Sequence, residues 1–203
     1  MIQFYNVSKI YDNGVKALND VSLTIRKGEF LFLVGPSGAG KTSLIKLICR
    51  EELASRGQVL LNGKNLARCK PWEIPLLRRK IGMVFQDFRL LYKKTAFENV
   101  AFALQIAGKS RKEINKSVPP VLEMVGLGDK ANMMPAQLSG GEQQRACIAR
   151  AIVNKPNILI ADEPTGNLDP DTSWEIMKLF LDINRKGTTL IVSTHDREIV
   201  DTM

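Results

Sequence analysis

The sequence has few of the features that would indicate a disulfide-stabilised, zinc-binding or membrane-spanning protein. Its three cysteines, Cys49, Cys69 and Cys147, are scattered and form no C-x-x-C pair. An odd, scattered set argues against a disulfide framework or a structural zinc site, and we expect each cysteine to fill a small space in the core. No apolar run approaches the roughly 20 residues that span a bilayer, and the N-terminus lacks a signal peptide's apolar core. We therefore expect a cytosolic protein, which can still dock on a membrane protein.

Acidic residues are outnumbered by basic ones, and the formal net charge is +8. A charge of this sign permits nucleic acid, anionic lipid headgroups or nucleotides as partners and does not choose among them. The basic clusters lie at 78–80, 93–94 and 109–112. None is interleaved with aromatic residues, as a platform for single-stranded nucleic acid would be. We therefore read them as solvated surface and expect no nucleic-acid partner.

The stretch Gly35–Thr42 has the pattern G-x-x-x-x-G-K-[ST]. It lies between an apolar run, Phe30–Val34, and a helical pattern, Ser43–Ile48, which is the context of a phosphate-binding loop. Glycines let backbone N–H groups turn towards phosphate oxygens, and the helix N-terminus adds a positive dipole. Lys41 is predicted to reach the β and γ phosphates of a nucleotide and the Thr42 hydroxyl to hold Mg²⁺. An ordinary glycine-rich turn is disfavoured because every fixed position is filled. The nucleotide-binding residues predicted here are Gly35, Pro36, Ser37, Gly38, Ala39, Gly40, Lys41, Thr42 and Ser43.

Strand and helix patterns alternate along the rest of the chain. Residues 2–7 and 21–25 read as antiparallel strands, with a tight turn at Asn13-Gly14 between them. Residues 81–85, 157–161 and 188–193 read as buried strands, separated by amphipathic helices. This order predicts an α/β fold: a phosphate-loop NTPase core with a mainly parallel sheet, preceded by an antiparallel β subdomain.

A mostly helical insert is predicted from about residue 88 to residue 136. Thr95 and Glu98 form a capping box at the start of one helix, and Ser110 is placed to cap a second. Pro119-Pro120 is expected to interrupt that second helix because neither proline has an N–H to donate. The predicted organisation is one domain, residues 1–203, with 1–87 and 137–203 as core and the insert as a helical subdomain. A last helix is predicted from Asp196 to Met203.

An acidic pair, Asp162 and Glu163, follows the apolar strand pattern Ile158–Ala161. A carboxylate at the carboxyl end of a buried parallel strand lies beside the phosphate loop in such a sheet. Asp162 can then organise Mg²⁺, and Glu163 is placed to polarise an attacking water. An acidic pair that only caps the next turn is the alternative, and the phosphate loop makes it the weaker one.

The octet Leu138–Arg145, Leu-Ser-Gly-Gly-Glu-Gln-Gln-Arg, places a serine and two glycines at the start of a helix. N–H groups, a hydroxyl and the helix dipole together make an anion site. A chain with one phosphate loop has no evident need for a second anion site. The octet resembles the signature of the ABC (ATP-binding cassette) ATPases, and the resemblance covers essentially the whole chain.

The resemblance assigns roles to residues whose spacing alone does not define a site. Tyr11 matches the aromatic residue that stacks on adenine, and Gln86 matches the glutamine at the junction with the helical subdomain. Residues 166–169 match the D-loop, and His195, the only histidine, matches the switch histidine. The implied catalytic residues are Glu163, His195, Gln86 and Lys41; the implied metal-binding residues are Thr42, Gln86 and Asp162; the implied cofactors are ATP and Mg²⁺.

The resemblance also implies a homodimer that forms around ATP. Each ATP would lie between the phosphate loop of one copy and Ser139, Gly140, Gly141 and Glu142 of the other. This would explain the second anion site, because it would serve the γ-phosphate bound to a neighbour. Hydrolysis would remove the group that bridges the copies, so that the dimer opens.

Several segments, among them Phe85–Leu91 and Ala161–Asp169, resemble the cassettes that act in bacterial cell division. Cassettes that power lipoprotein release or macrolide export share much of this pattern. The implied partner is an integral membrane protein contacted near Phe88–Tyr92, and the implied location is the cytoplasmic face of the plasma membrane at the division site. One departure is Tyr92, which stands where such cassettes commonly have proline.

Two readings from other classes remain open at this stage. A DNA-repair ATPase can carry the same signature, but such proteins usually have long coiled-coil or zinc insertions, and the insert here is compact. A phosphate-loop kinase of small molecules would explain Gly35–Thr42 and would leave Leu138–Arg145 without a purpose. ATPase activity without an acceptor substrate separates this last reading from the cassette.

Overall fold

The computed structural model describes residues 2–196 and 199–200, and it begins with an antiparallel sheet. Its strand order is β2-β1-β4-β5. The predicted tight turn is confirmed: the Gly14 N–H donates to the Tyr11 carbonyl at 2.8 Å, and Gly14 has a φ of 81°. The strands are β1 (Ile2–Ile10), β2 (Lys16–Ile25), β4 (Arg56–Leu61) and β5 (Lys64–Asn65).

The second sheet is parallel and holds the apolar strand patterns of the sequence. Its strand order is β3-β8-β7-β6. Of the four strands of this sheet, the first along the chain, β3, therefore pairs with the last, β8. Asp162 and Ser193 are partners in the register, which brings the carboxyl ends of two central strands together. The strands are β3 (Phe30–Val34), β6 (Ile81–Phe85), β7 (Ile158–Asp162) and β8 (Thr189–Thr194).

Helices cover both faces of the parallel sheet, as the unbroken apolar strands predict. Successive residues of a strand point to opposite faces. Leu159 accordingly packs in one core cluster with the helices between residues 96 and 185, and Ile160 packs in the other with the helix at 41–48 and the antiparallel sheet. The helices are α1 (Lys41–Ile48), α2 (Ile74–Arg78), α3 (Ala96–Ile106), α4 (Arg111–Met124), α5 (Gly140–Ile152) and α6 (Pro170–Arg185).

The predicted interruption at Pro119-Pro120 is wrong, because α4 runs through both prolines. Both lie on the exposed face, where the carbonyls that lose their helical partners can bond to water. The opposite face buries Ile114, Val118 and Leu122. Apolar burial along that face therefore outweighs the missing hydrogen bonds. The two predicted caps, at Thr95 and Ser110, are confirmed: each hydroxyl accepts from the N–H three residues on.

Pro120→Ala is expected to raise the free energy of unfolding. The restored N–H can donate within the helix and the ring clash disappears, which outweighs the greater unfolded-state freedom of alanine by about 1–2 kcal/mol. Chemical denaturation checks this. Pro75→Ala is the control, because Pro75 stands in the first turn of α2, where proline is compatible with a helix. A lower stability of Pro120→Ala than of the wild type would contradict this expectation.

The three cysteines are free and buried, as the core-filling prediction requires. Burial raises the pKa of the Cys49 thiol to about 12. Burial also raises the pKa of Cys147. Neither is therefore a nucleophile at neutral pH.

No helix in residues 2–196 and 199–200 is long and apolar enough to cross a bilayer. The last helix, predicted from Asp196 to Met203, lies mostly outside the described residues.

Candidate nucleotide-binding site

The phosphate loop connects β3 to α1, as the sequence predicts. Gly40 is the N-cap of α1 and has a φ of 91°. A Cβ there would lie 2.4 Å from the backbone oxygen of Ala17. Only glycine combines this positive φ with the absence of a Cβ that would clash with Ala17. Since no side chain caps α1, the first N–H groups of the helix remain available to an anion.

Lys41 lies at the mouth of the loop, with its side chain 9% exposed. Its Nζ donates to the carbonyl oxygens of Gly35 at 2.6 Å and Pro36 at 3.2 Å. Glu163 Oε1 lies 3.6 Å from the same ammonium group. These partners hold one positive charge beside the loop, where it can meet phosphate oxygens.

Asp162 is oriented by two hydroxyl groups from different elements. Thr42 Oγ1 donates to Asp162 Oδ2 at 3.3 Å, and Ser193 Oγ donates to Asp162 Oδ1. Ser193 is fully buried at the end of β8, and the sequence reasoning did not include it in the site. The sequence feature that could have marked Ser193 as a site residue is its position: it is a polar residue next to the end of an apolar strand.

Glu163 has a left-handed backbone, with a φ of 49°. Its N–H is bonded to both the carbonyl and the hydroxyl of Ser193, at 3.1 Å each. Its Oε2 lies 3.1 Å from His195 Nδ1. A non-glycine residue in this region costs about 1 kcal/mol or more, so the double contact with Ser193 is needed to hold it. The carboxylate is thereby fixed between Lys41 and His195.

Gln86 follows β6 and faces the segment after Glu163. Its Nε2 donates to Asn167 Oδ1 at 3.3 Å, and Asn167 Nδ2 donates to the Gln86 carbonyl at 3.3 Å. Asn167 belongs to the predicted D-loop, but its pairing with Gln86 was not foreseen. The two side chains join residues that are 81 positions apart.

Tyr11 lies beside the phosphate loop, at the tip of the antiparallel sheet. Its hydroxyl lies 3.0 Å from Ser43 Oγ, and Lys9 Nζ is 4.9 Å from the ring centroid. The ring lines a cavity of about 260 Å³ together with residues 37–43. Its predicted stacking on adenine is compatible with this place and stays a prediction.

Three neighbouring cavities share Glu163 as a common wall. The one beside Tyr11 opens on the phosphate loop. A second, of about 420 Å³, brings together Ser37, Thr42, Gln86 and Asp162. A third, of about 480 Å³, contains His195 and part of the D-loop. The structure thus gathers around Glu163 the predicted residues Tyr11, Ser37, Gly38, Ala39, Gly40, Lys41, Thr42, Ser43, Gln86, Asp162 and His195.

The second cavity fits a magnesium ion that is shared with a nucleotide. Thr42, Gln86 and Asp162 offer hydroxyl, amide and carboxylate oxygens, which are the hard donors that Mg²⁺ prefers. In the described part of the chain no cluster of three or more His, Cys, Asp or Glu residues could hold a metal. The protein donors alone are few, as expected where Mg²⁺ takes its remaining ligands from phosphates and water.

The predicted second anion site forms the start of α5. Ser139 is the N-cap, and its hydroxyl accepts from the Glu142 N–H at 3.3 Å. The Glu142 carboxylate accepts from the Ser139 N–H at 2.9 Å and from Lys130. The Lys130 contact lowers the pKa of Glu142 and the same contact raises the pKa of Lys130. Because its carboxylate accepts from the Ser139 N–H, Glu142 forms a capping box with Ser139 at the start of α5.

The signature residues do not line any of the three cavities around Glu163. Gly140 lies instead against Leu168, just before α6, and Gly141 lies against Thr172, in the first turn of α6. The structure therefore does not bring Ser139–Glu142 into the nucleotide cavity of its own chain.

Comparison with known proteins defines the class to which this fold and site belong. A family model described as ABC transporter matches residues 18–166. The chain belongs to this family, and it is an ATPase: it binds ATP and hydrolyses it.

Individual members of this family are similar to the chain over nearly its whole length. The chain is 60% identical to the cell division ATP-binding protein FtsE of Bacillus subtilis, over 100% of this chain and 89% of the relative. Among solved structures it is similar to the dimeric structure of MJ0796, a bacterial ABC transporter cassette, with a TM-score of 0.87, 39% identity and coverage of 98% and 90%. A post-hydrolysis dimer of MJ0796 bound to ADP and Pi gives a TM-score of 0.87, 38% identity and the same coverage.

Proposed function

We propose that two copies of this chain enclose two ATP molecules, each between the phosphate loop of one copy and Ser139–Glu142 of the other. One observation carries the proposal: the N-terminus of α5, where Ser139 is the N-cap and two glycines follow, lies outside the nucleotide cavities of its own chain. A second copy gives that site a ligand, the γ-phosphate bound by the neighbour.

Within one chain, Lys41 and the N–H groups of the loop bind the phosphates, and Tyr11 stacks on adenine. Phosphate oxygens compete with the Gly35 and Pro36 carbonyls for the Lys41 ammonium group. An ion pair with phosphate is stronger than these neutral acceptors, so binding draws Lys41 towards the nucleotide.

Glu163 is the base that accepts a proton from the attacking water. Two contacts of its carboxylate, with Lys41 at 3.6 Å and with His195 at 3.1 Å, support this role because they hold the group beside the phosphate loop. His195 then contacts the γ-phosphate. Because His195 shares a cavity with residues of the D-loop, this contact links the γ-phosphate to the D-loop. Thr42, Gln86 and Asp162 would hold Mg²⁺, which would neutralise charge that develops on the phosphates.

The helical segment, residues 88–136, acts as a subdomain that carries motion to a membrane partner. Its first residues offer an apolar contact: Leu91 is 37% exposed and Tyr92 is 67% exposed. We propose an FtsX-like integral membrane protein as the partner that docks here. The chain would then work at the cytoplasmic face of the bacterial membrane at the division site, where ATP turnover controls cell-wall hydrolysis.

A complementation experiment tests the two-copy site. Lys41→Ala and Ser139→Phe variants are expected to be inactive alone and to regain ATPase activity when mixed. A mixed dimer contains one site with both defects and one site with none. Activity that stays at the level of the separate variants would contradict a shared site. A mixture of Lys41→Ala with Glu163→Gln is the control, because each of its sites lacks one cis residue and no activity should return.

A further inference from the structure

The segment after Gln86 has an unusual backbone. Phe88 has a φ of 55° and Arg89 a φ of 50°, so two consecutive residues other than glycine lie in the left-handed region. Such residues persist only where the surrounding structure determines them. The contacts that hold this turn therefore also determine where the chain leaves Gln86.

Helix α5 supplies those contacts. Arg150 Nη1 donates to the Arg89 carbonyl, and Arg150 Nη2 donates to the Phe88 carbonyl at 2.8 Å. The thiol of Cys147, one turn earlier on the same helix, also donates to the Phe88 carbonyl. A planar guanidinium group is suited to this task because its donors form a rigid fork.

The two ends of the segment are fixed by other groups. The Arg89 guanidinium group lies 3.9 Å from the ring centroid of Phe85, just before Gln86. At the far end, the fully buried Asn99 accepts from the Leu91 N–H at 2.7 Å and donates to the Leu91 carbonyl at 3.2 Å. Of the contacts named here, only those from α5 are made with the backbone carbonyls of the two left-handed residues.

We propose that Arg150 is a positioning residue for ATP hydrolysis, acting through the left-handed turn on Gln86. Arg150 itself lines none of the three cavities around Glu163, although it donates to the carbonyl of Arg89, which lines the second. It lies on the helix that begins at the signature serine, Ser139. A movement of α5 when it meets the ATP of the partner copy is thereby passed to Gln86 and to residues 88–92, where the membrane partner is proposed to dock. The inference rests on the proposed role of Gln86 as a metal ligand.

Arg150→Lys keeps the charge and loses the fork, so one carbonyl loses its donor. We expect kcat to fall about tenfold, as for a misplaced catalytic group, with KM for ATP unchanged within about twofold because the phosphate loop is not altered. A second readout does not depend on activity: the amides of residues 87–91 should exchange hydrogen faster in the free protein. Arg150→Met, which removes every donor, should lower kcat more and speed the exchange of residues 87–91 more than Arg150→Lys does.

The chain offers a matched control in Arg78→Lys. Arg78 also bridges two consecutive carbonyls, of Cys49 at 3.0 Å and Arg50 at 3.1 Å, and Arg50 is also left-handed with a φ of 55°. This turn lies at the other end of α1 from the phosphate loop. Arg78→Lys should therefore leave kcat and the exchange of residues 87–91 unchanged.

A double-mutant cycle with Gln86→Ala decides between positioning and general support. If Arg150 acts through Gln86, adding Arg150→Lys to Gln86→Ala should lower kcat no further. Additive losses would overturn the inference and leave the proposed function intact. If Gln86→Ala by itself leaves kcat unchanged, the role of Gln86 in the proposed function is wrong, and the inference falls with it.

Discussion

Glu163→Gln is expected to lower kcat for ATP hydrolysis by about a thousandfold, within the range for loss of a general base. The amide has the shape of the carboxylate but cannot accept the proton of the attacking water. The backbone of residue 163 is still held by its two bonds to Ser193, so the site keeps its form. Single-turnover hydrolysis of ATP measures the effect on the chemical step.

The same variant should bind ATP at least as tightly as the wild type. Removing a negative charge beside Lys41 leaves that ammonium group free to pair with phosphate. If the proposed dimer opens only after hydrolysis, Glu163→Gln should also accumulate as a dimer in ATP, which light scattering detects. Glu51→Gln, at an exposed carboxylate outside the site, is the control and should show neither effect. Hydrolysis near the wild-type rate would remove Glu163 from the role of base.

Lys41→Ala is expected to weaken ATP binding about a hundredfold, because it removes a charge-assisted hydrogen bond to phosphate. Calorimetry with the nucleotide checks this. The change also leaves Glu163 without its cationic neighbour, so that two negative groups, carboxylate and γ-phosphate, face each other. We therefore expect the affinity for ATP to suffer more than the affinity for ADP, which lacks the γ-phosphate.

Lys46→Ala separates the role of Lys41 from the general effect of positive charge. Lys46 lies on the same helix, towards its C-terminal end, and should not contact the phosphates. Its loss should leave ATP affinity within about twofold, since this half-buried side chain lies more than one helical turn beyond Lys41 and makes no direct contact with the phosphates. Equal losses in the two variants would mean that Lys41 contributes only through net charge, contrary to the loop assignment.

The sequence was most informative where a function depends on neighbours in the chain. The phosphate loop, the acidic pair and the capping boxes are short contiguous patterns, and the structure places each on the predicted element. Prediction was wrong at Pro119-Pro120, where local propensity indicates a break and burial along the opposite face of α4 keeps the helix continuous. It was silent on the bond between Ser193 and Asp162 and on the Gln86–Asn167 pair, because the partners are 31 and 81 residues apart and share no local pattern.

By itself the sequence determined which chemical groups are present and which of them are adjacent: a loop for phosphates, two carboxylates after a strand, and a second anion site at the start of a helix. Tertiary structure decided which of them meet. The parallel register of β7 and β8 sets Ser193 against Asp162, 31 residues away. The packing of α5 sets Arg150 against Phe88, 62 residues away. The same packing keeps Ser139 out of the nucleotide cavities of its own chain. Pairings between distant residues follow from strand order and helix packing, which depend on the burial of the whole apolar surface and not on any one segment.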